Sequence, residues 1–334
     1  MNKINMKYIN IDNETTKEEA LDYFKSCSEV EALNLRYLKP ELQDDPEIVK
    51  TAVDINGSAL QYASERLRDD TKIVTAVVTN YGLDLEYASK RLRDNPDIVI
   101  AAVKNFGEAL QFASERLRDD SEIVKAAMIQ SNGCALRYAS PRLQDDPEIV
   151  KIAVKKNGYA LQFASARLRN DPEIVKIAVN QNGIAFHFAS ERLKDDQDIV
   201  TAAVKNYRYA LKFASERLRD VPEIVKAAIN QYGGYVLKFA SERLRDDPEI
   251  VKAAIKKDDW ALECASERLQ LLGKDGVGKL AQEQKQKREI QQSRIDIKNK
   301  KLFIKPLSEQ IKSAETTNKI DIRSKKIVND EVSL

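Results

Sequence analysis

The residues best suited to chemistry recur at a fixed spacing. Arg66, Arg91, Arg116, Arg142, Arg167, Arg192, Arg217, Arg243 and Arg268 each stand two positions after a serine, as in "ASERL". A serine becomes a nucleophile only beside a base, and His187 is the only histidine in the chain. A repeated Ser-His pair is therefore impossible, and the serines read as small residues at tight helix contacts. The arginines could form a ladder of guanidinium groups for the phosphates of a nucleic acid or for an acidic partner. Eight of them, all but Arg268, also lie four residues after a ring (Tyr62, Tyr87, Phe112, Tyr138, Phe163, Phe188, Phe213, Phe239) and just before aspartates. An arginine so placed can pack on the ring, face the negative end of its helix and pair with the acids that follow it. Residues 1–270 carry 40 Lys/Arg against 44 Asp/Glu, a net of −4, so the acids neutralise the ladder. The expected role of the nine arginines is structural.

Other chemistry fares no better. Cys27, Cys134 and Cys264 have no metal-ligand spacing and imply a reducing compartment. "GKDGVGKL" matches a phosphate-loop pattern at Gly273, Gly278 and Lys279, but a helix precedes it and Leu280 stands where magnesium needs a hydroxyl. Its glycines are expected to end the array and release the tail. No catalytic, metal or cofactor site emerges, and the chain reads as a non-enzyme.

The elements behind these residues follow from the period. Successive arginines are 25 or 26 residues apart, with the extra residues near "QSNG" (130–133) and "QYGG" (231–234). Nine positions before the arginine stands Gly57, Gly82, Gly107, Gly133, Gly158, Gly183 or Gly234, expected to end one helix in a left-handed conformation. "DDPEIV" supplies an aspartate cap and a proline for the first turn of the next helix, as at Asp45, Asp146, Asp171 and Asp247. Between these signals the apolar spacing is helical, as in Ile174, Val175, Ala178 and Val179, then Ala160, Leu161, Phe163, Ala164 and Leu168. A leucine-rich-repeat strand lacks its L-x-x-L-x-L signature. The expected fold is all-α: an α-solenoid of about ten two-helix repeats on the order of 90 Å long, with a helical or flexible C-terminal tail. Its divisions are an N-terminal extension (1–14), a degenerate capping repeat (15–45) opened by Thr15 and Glu18 in capping-box spacing, tandem repeats (46–270) and a basic tail (271–334).

The consensus "DPEIVKAAVKNNGxALQFASERLRDD" resembles the repeats of the family called domain of unknown function 4116, over residues 15 to 270 or so. The resemblance implies an interaction scaffold and brings no catalytic residues. Its relatives occur in proteins of intracellular bacteria and some protists, several of them regarded as secreted effectors. It thus implies a cytoplasmic protein that could be translocated into a host cell without a conventional signal peptide.

What stacking does not dictate varies between repeats. Eight and five residues before the arginine, three apart on one helical face, the C-terminal half pairs Ile184 with His187, Tyr209 with Lys212 and Tyr235 with Lys238. Tyr159, Tyr207 and Trp260 extend this face, and aromatic residues among cations are typical anchors for a protein partner. Base stacking of single-stranded RNA is the alternative, disfavoured by the acidic array. Residues 271–334 carry 15 Lys/Arg against 9 Asp/Glu, a net of +6, with acids too interspersed for a polybasic membrane patch. No apolar run is long enough to span a membrane. Ile290, Ile297 and Ile304 are seven apart, the spacing of an amphipathic helix or short coiled coil. After Pro306 the composition suggests a flexible end, and "NDEVSL" with Leu334 could carry an export signal by analogy with effectors.

Overall fold

The computed structural model describes residues 11–331, with side chains described through residue 300. Residues 1–10 of the expected extension, and Leu334 of the proposed signal, lie outside the described residues. The chain divides into two compact units, Met1–Ser241 and Glu242–Leu334. Every element is helical and no strand occurs among the described residues.

In the first unit, the capping repeat opens with a helix at Lys17–Phe24. Its capping box uses Thr16 and Glu19, one residue later than expected, and Ser28 with Glu31 forms a second box. Residues 171–194 show the full repeat. Asp171 accepts from the amides of Glu173 (2.9 Å) and Ile174 (3.0 Å), and Pro172 starts the long helix Pro172–Gln181. The expected all-α repeat of about 25 residues is present, with its second helix subdivided. The second helix is a 3-10 helix, Gly183–Phe188, followed by one α-turn, Glu191–Lys194. Ala189 between them is extended (φ −61°, ψ 151°), and Ser190 caps the new turn by accepting from the Leu193 amide at 3.3 Å.

The apolar residues of each piece face one core. Ile174, Val175, Ala178 and Val179 of the long helix, Ala185 and Phe186 of the 3-10 helix, and Leu193 of the last turn are all buried. Long helices pack on the long helices of neighbouring repeats, and 3-10 helices on 3-10 helices, so the unit has two layers. Each repeat completes its core against its neighbours, which is why ten-residue helices persist here.

The glycines serve these contacts, contrary to the left-handed expectation. Among them only Gly133 has a positive φ, with Gly233 and Gly273 the other two such glycines in the chain. At Gly82, Gly107 and Gly158 an added Cβ would strike the carbonyl oxygen of Ala102, Ala127 or Ala178 in the next long helix. Where Arg208 replaces the glycine, the 3-10 helix gives way to a short α-helix, Ala210–Phe213.

The recurrent serine and arginine join the repeats. Asp145 caps the C-terminal end of the turn Pro141–Gln144. From the following repeat, the Ser165 amide donates to the Gln144 carbonyl (2.9 Å) and the Ser165 hydroxyl donates to the Asp145 carboxylate. Arg167 completes the latch: Nε donates to Asp145 Oδ1 (3.0 Å) and Oδ2 (3.2 Å), and Nη2 to the Asp145 carbonyl (2.6 Å). Arg66, Arg91, Arg116, Arg142 and Arg217 hold Asp44, Asp69, Asp94, Asp119 and Asp195 in the same way, and Arg192 holds Asn170. These arginines therefore reach back to the preceding repeat, and not to the acids that follow them. Nor do they brace the rings: among the described residues, the cations over rings are Arg36, Arg137, Arg208, Lys212 and Lys238. The serine is a cap and a donor rather than a space-saving residue.

Asn170 makes the latch without a charge, since Ser190 donates to its Oδ1 at 2.6 Å and Arg192 Nε at 2.9 Å. Thermal denaturation of variants should therefore rank Arg167→Ala as clearly destabilising and Asp145→Asn as a smaller loss, because asparagine keeps the acceptor oxygen and gives up only the charge that strengthens its bonds. Equal losses would mean that charge, and not hydrogen-bond geometry, carries the latch.

The latch also sets a pH dependence. The hydroxyl of Ser64 and the guanidinium of Arg66 hold the Asp44 carboxyl below its usual range, and Asp69, Asp94, Asp119, Asp145 and Asp195 are lowered by the same pair of donors. A carboxyl with a depressed folded pKa adds stability above its unfolded value, near 4, and loses it as pH falls through the folded value. Melting temperature measured from pH 7 downward should hold until about pH 4 and then fall; a flat profile to pH 2 would contradict the latch.

The second unit contains the turn Glu242–Arg245, which carries Arg243, the helix Pro248–Ile255, the 3-10 helix Asp259–Cys264 and the long helix Glu267–Glu331, broken at Gly273 (φ 64°, ψ 179°). Arg268 Nε meets Asp246 Oδ1 at 3.0 Å, repeating the latch. The phosphate-loop pattern lies within this last helix, where Gly276 and Gly278 are helical. Only Gly273 interrupts it, so the glycines do not release the tail. Lys274 pairs with Asp259 (2.6 Å), Val277 and Ala281 are buried, and Arg288 meets Glu249 (2.9 Å). The backbone stays helical past Pro306, where composition suggests a flexible end.

Candidate binding face

The variable face lies on the 3-10 helices, and their geometry sharpens it. In a 3-10 helix residues i and i+3 eclipse, so Ile184 stacks with His187 and Tyr235 with Lys238, while Tyr209 and Lys212 belong to the repeat whose 3-10 helix is replaced by an α-turn. Lys238 Nζ sits 3.8 Å from the centre of the Tyr235 ring and 4.8 Å from that of Phe239, and it also bonds the Tyr235 hydroxyl. In two of these repeats the amide of the first variable residue is fixed as well: Asn157 accepts from the Tyr159 amide (3.0 Å) and Asn182 from the Ile184 amide (3.1 Å).

Within the first unit the rings form one unbroken row across four repeats. Tyr159 meets Phe188 edge to face (5.1 Å), His187 meets Phe188 (5.4 Å) and Phe213 (4.6 Å), and Tyr207 stacks on Phe213 (6.5 Å). Tyr207 also meets Tyr209 (5.6 Å), which reaches Phe239 (6.1 Å), and Phe239 meets Tyr235 (6.3 Å). Such edge contacts hold each ring in place at a low entropic cost. Tyr159, Ile184, Tyr209 and Tyr235 remain 36 to 41% exposed, which is high for anchored apolar groups. Arg208, Lys212 and Lys238 lie over rings of the row, giving the face positive charge on an apolar floor.

The structure thus brings together seven of the expected face residues: Tyr159, His187, Tyr207, Tyr209, Lys212, Tyr235 and Lys238. Ile184 is exposed beside them without a ring contact, and Trp260, 70% exposed, belongs to the second unit. Sequence reasoning missed the floor of the row, Phe188, Phe213 and Phe239, because it assigned these rings to the arginines that follow them. It also passed over Arg208, although a cation at a glycine position was a visible signal. Among the described residues no group of three or more His, Cys, Asp and Glu could share a metal ion, and none of the three cysteines is in a disulfide. No helix among them is long and apolar enough to cross a membrane.

A period of short helices, two layers and one latch per interface define a tandem helical-repeat protein. The family model described as domain of unknown function (DUF4116) matches residues 17–68, 45–93, 70–118, 95–144, 120–169, 146–193, 171–219 and 222–270. The chain belongs to this family. No curated protein and no solved structure matches it.

Proposed function

We propose that the protein is a non-enzymatic interaction scaffold that binds a protein partner through the ring row of its first unit. One observation carries this reading: eight rings in mutual contact, spanning Tyr159 to Phe239, hold exposed tyrosines and cations in fixed positions. Pre-ordered aromatic side chains with a cationic rim suit a partner segment that presents apolar side chains among acids. The cytoplasmic setting and the role as a translocated effector rest on the resemblance to other members of the family.

Single-stranded RNA is the second reading, because rings beside cations also suit bases and phosphates. Its weakness is the net charge of −4 over residues 1–270. A photo-reactive residue in place of Tyr235 should crosslink to a protein in cells, whereas one in place of Lys176 on the long helix should not. Filter binding with single-stranded RNA over a salt series should detect no salt-sensitive affinity. Strong, salt-dependent RNA retention with no crosslinked protein would replace the first reading by the second.

A further inference from the structure

We propose that the C-terminal helix pairs with the same helix of a second copy of this chain, as a parallel, in-register coiled coil. Arg288 still meets Glu249, but every residue from 289 to 300 is exposed, with Ile290 and Ile297 at 55% and 56%. A helix rich in β-branched residues gains little stability alone and needs an apolar seam to bury. The sequence places Ile290, Ile297, Ile304 and Ile311 seven apart, one per heptad, with Ser293, Lys300, Leu307 and Ala314 at the companion seam positions, so the seam is polar in its first two heptads and apolar in the next two. Gln286, Glu289, Ile290, Ser293, Arg294 and Ile297 line one shallow groove on the described part of this face, in agreement with that register.

Charge selects the occupant. In a parallel in-register pair, the residue before each seam isoleucine faces the residue five positions on in the partner. That sets Glu289 against Arg294 and Asp296 against Lys301, two opposite pairs, each formed twice by symmetry. An antiparallel pair would oppose acids to acids and bases to bases. Asn318 continues the isoleucine positions, and a polar residue there helps to fix register and favours two strands.

Sedimentation equilibrium of the full chain tests this. The expected mass at high concentration is about twice the 37.8 kDa of one chain. Arg294→Glu should weaken the pair about tenfold, and adding Glu289→Arg should restore it. A monomer at every concentration would overturn the proposal. So would tighter association of Arg294→Glu, because that is the signature of an antiparallel pair.

Discussion

Gly158→Ala should lower the stability of the first unit by about 1–3 kcal/mol, the cost of forcing a methyl group into a packed interface. The new Cβ would overlap the Ala178 carbonyl oxygen and stand 3.0 Å from both the Ala178 carbonyl carbon and the Asn182 amide nitrogen. None of these atoms is the free end of a side chain. The Ala178 carbonyl is already committed to the Asn182 amide at 2.8 Å, so relief requires the long helix of the next repeat to move. Because each repeat touches only its neighbours, that shift must spread along the stack or open the interface. Gly278→Ala is the matching control: its Cβ would meet open space in a helical stretch, and alanine there should add up to about 1 kcal/mol. Chemical denaturation that gave both substitutions the same sign would refute the close-approach account of the glycines.

The second large effect concerns function. Tyr209→Ala with Tyr235→Ala removes the two exposed tyrosines that meet Phe239 from either side, and with them the ring under Lys238. Buried anchors at an interface commonly cost 2 kcal/mol or more each when truncated, so partner affinity should drop by about 100-fold or more. Both tyrosines are exposed on the surface, away from the Ile-Val and Ala-Leu core, so the fold should survive their loss.

Much of this architecture can be read from the sequence, and the parts that cannot share a physical cause. Long-helix starts are legible because Asp-Pro acts locally: Asp171 and Pro172 cap and open the helix that contains them. The break at Ala189 and Ser190 was legible in principle, since serine two residues before the arginine is a good cap, but the apolar spacing of a 3-10 helix imitates an α-helix. The partner of Arg167 and the neighbour of Gly158 lie about twenty residues away in an adjoining repeat, where periodicity gives no distance. The candidate face is half visible in the sequence for the same reason. Variation marked Tyr209, Tyr235 and Lys238, while the phenylalanines beneath them looked like invariant scaffold and were assigned to the arginines.

The most direct test of the account is the affinity of the crosslinked partner for the intact chain and for the Tyr209→Ala, Tyr235→Ala variant, measured by titration on proteins shown to melt at the same temperature. The account predicts a loss of about 100-fold or more at equal stability. Unchanged affinity at equal stability would contradict it and would place the binding surface elsewhere on the molecule.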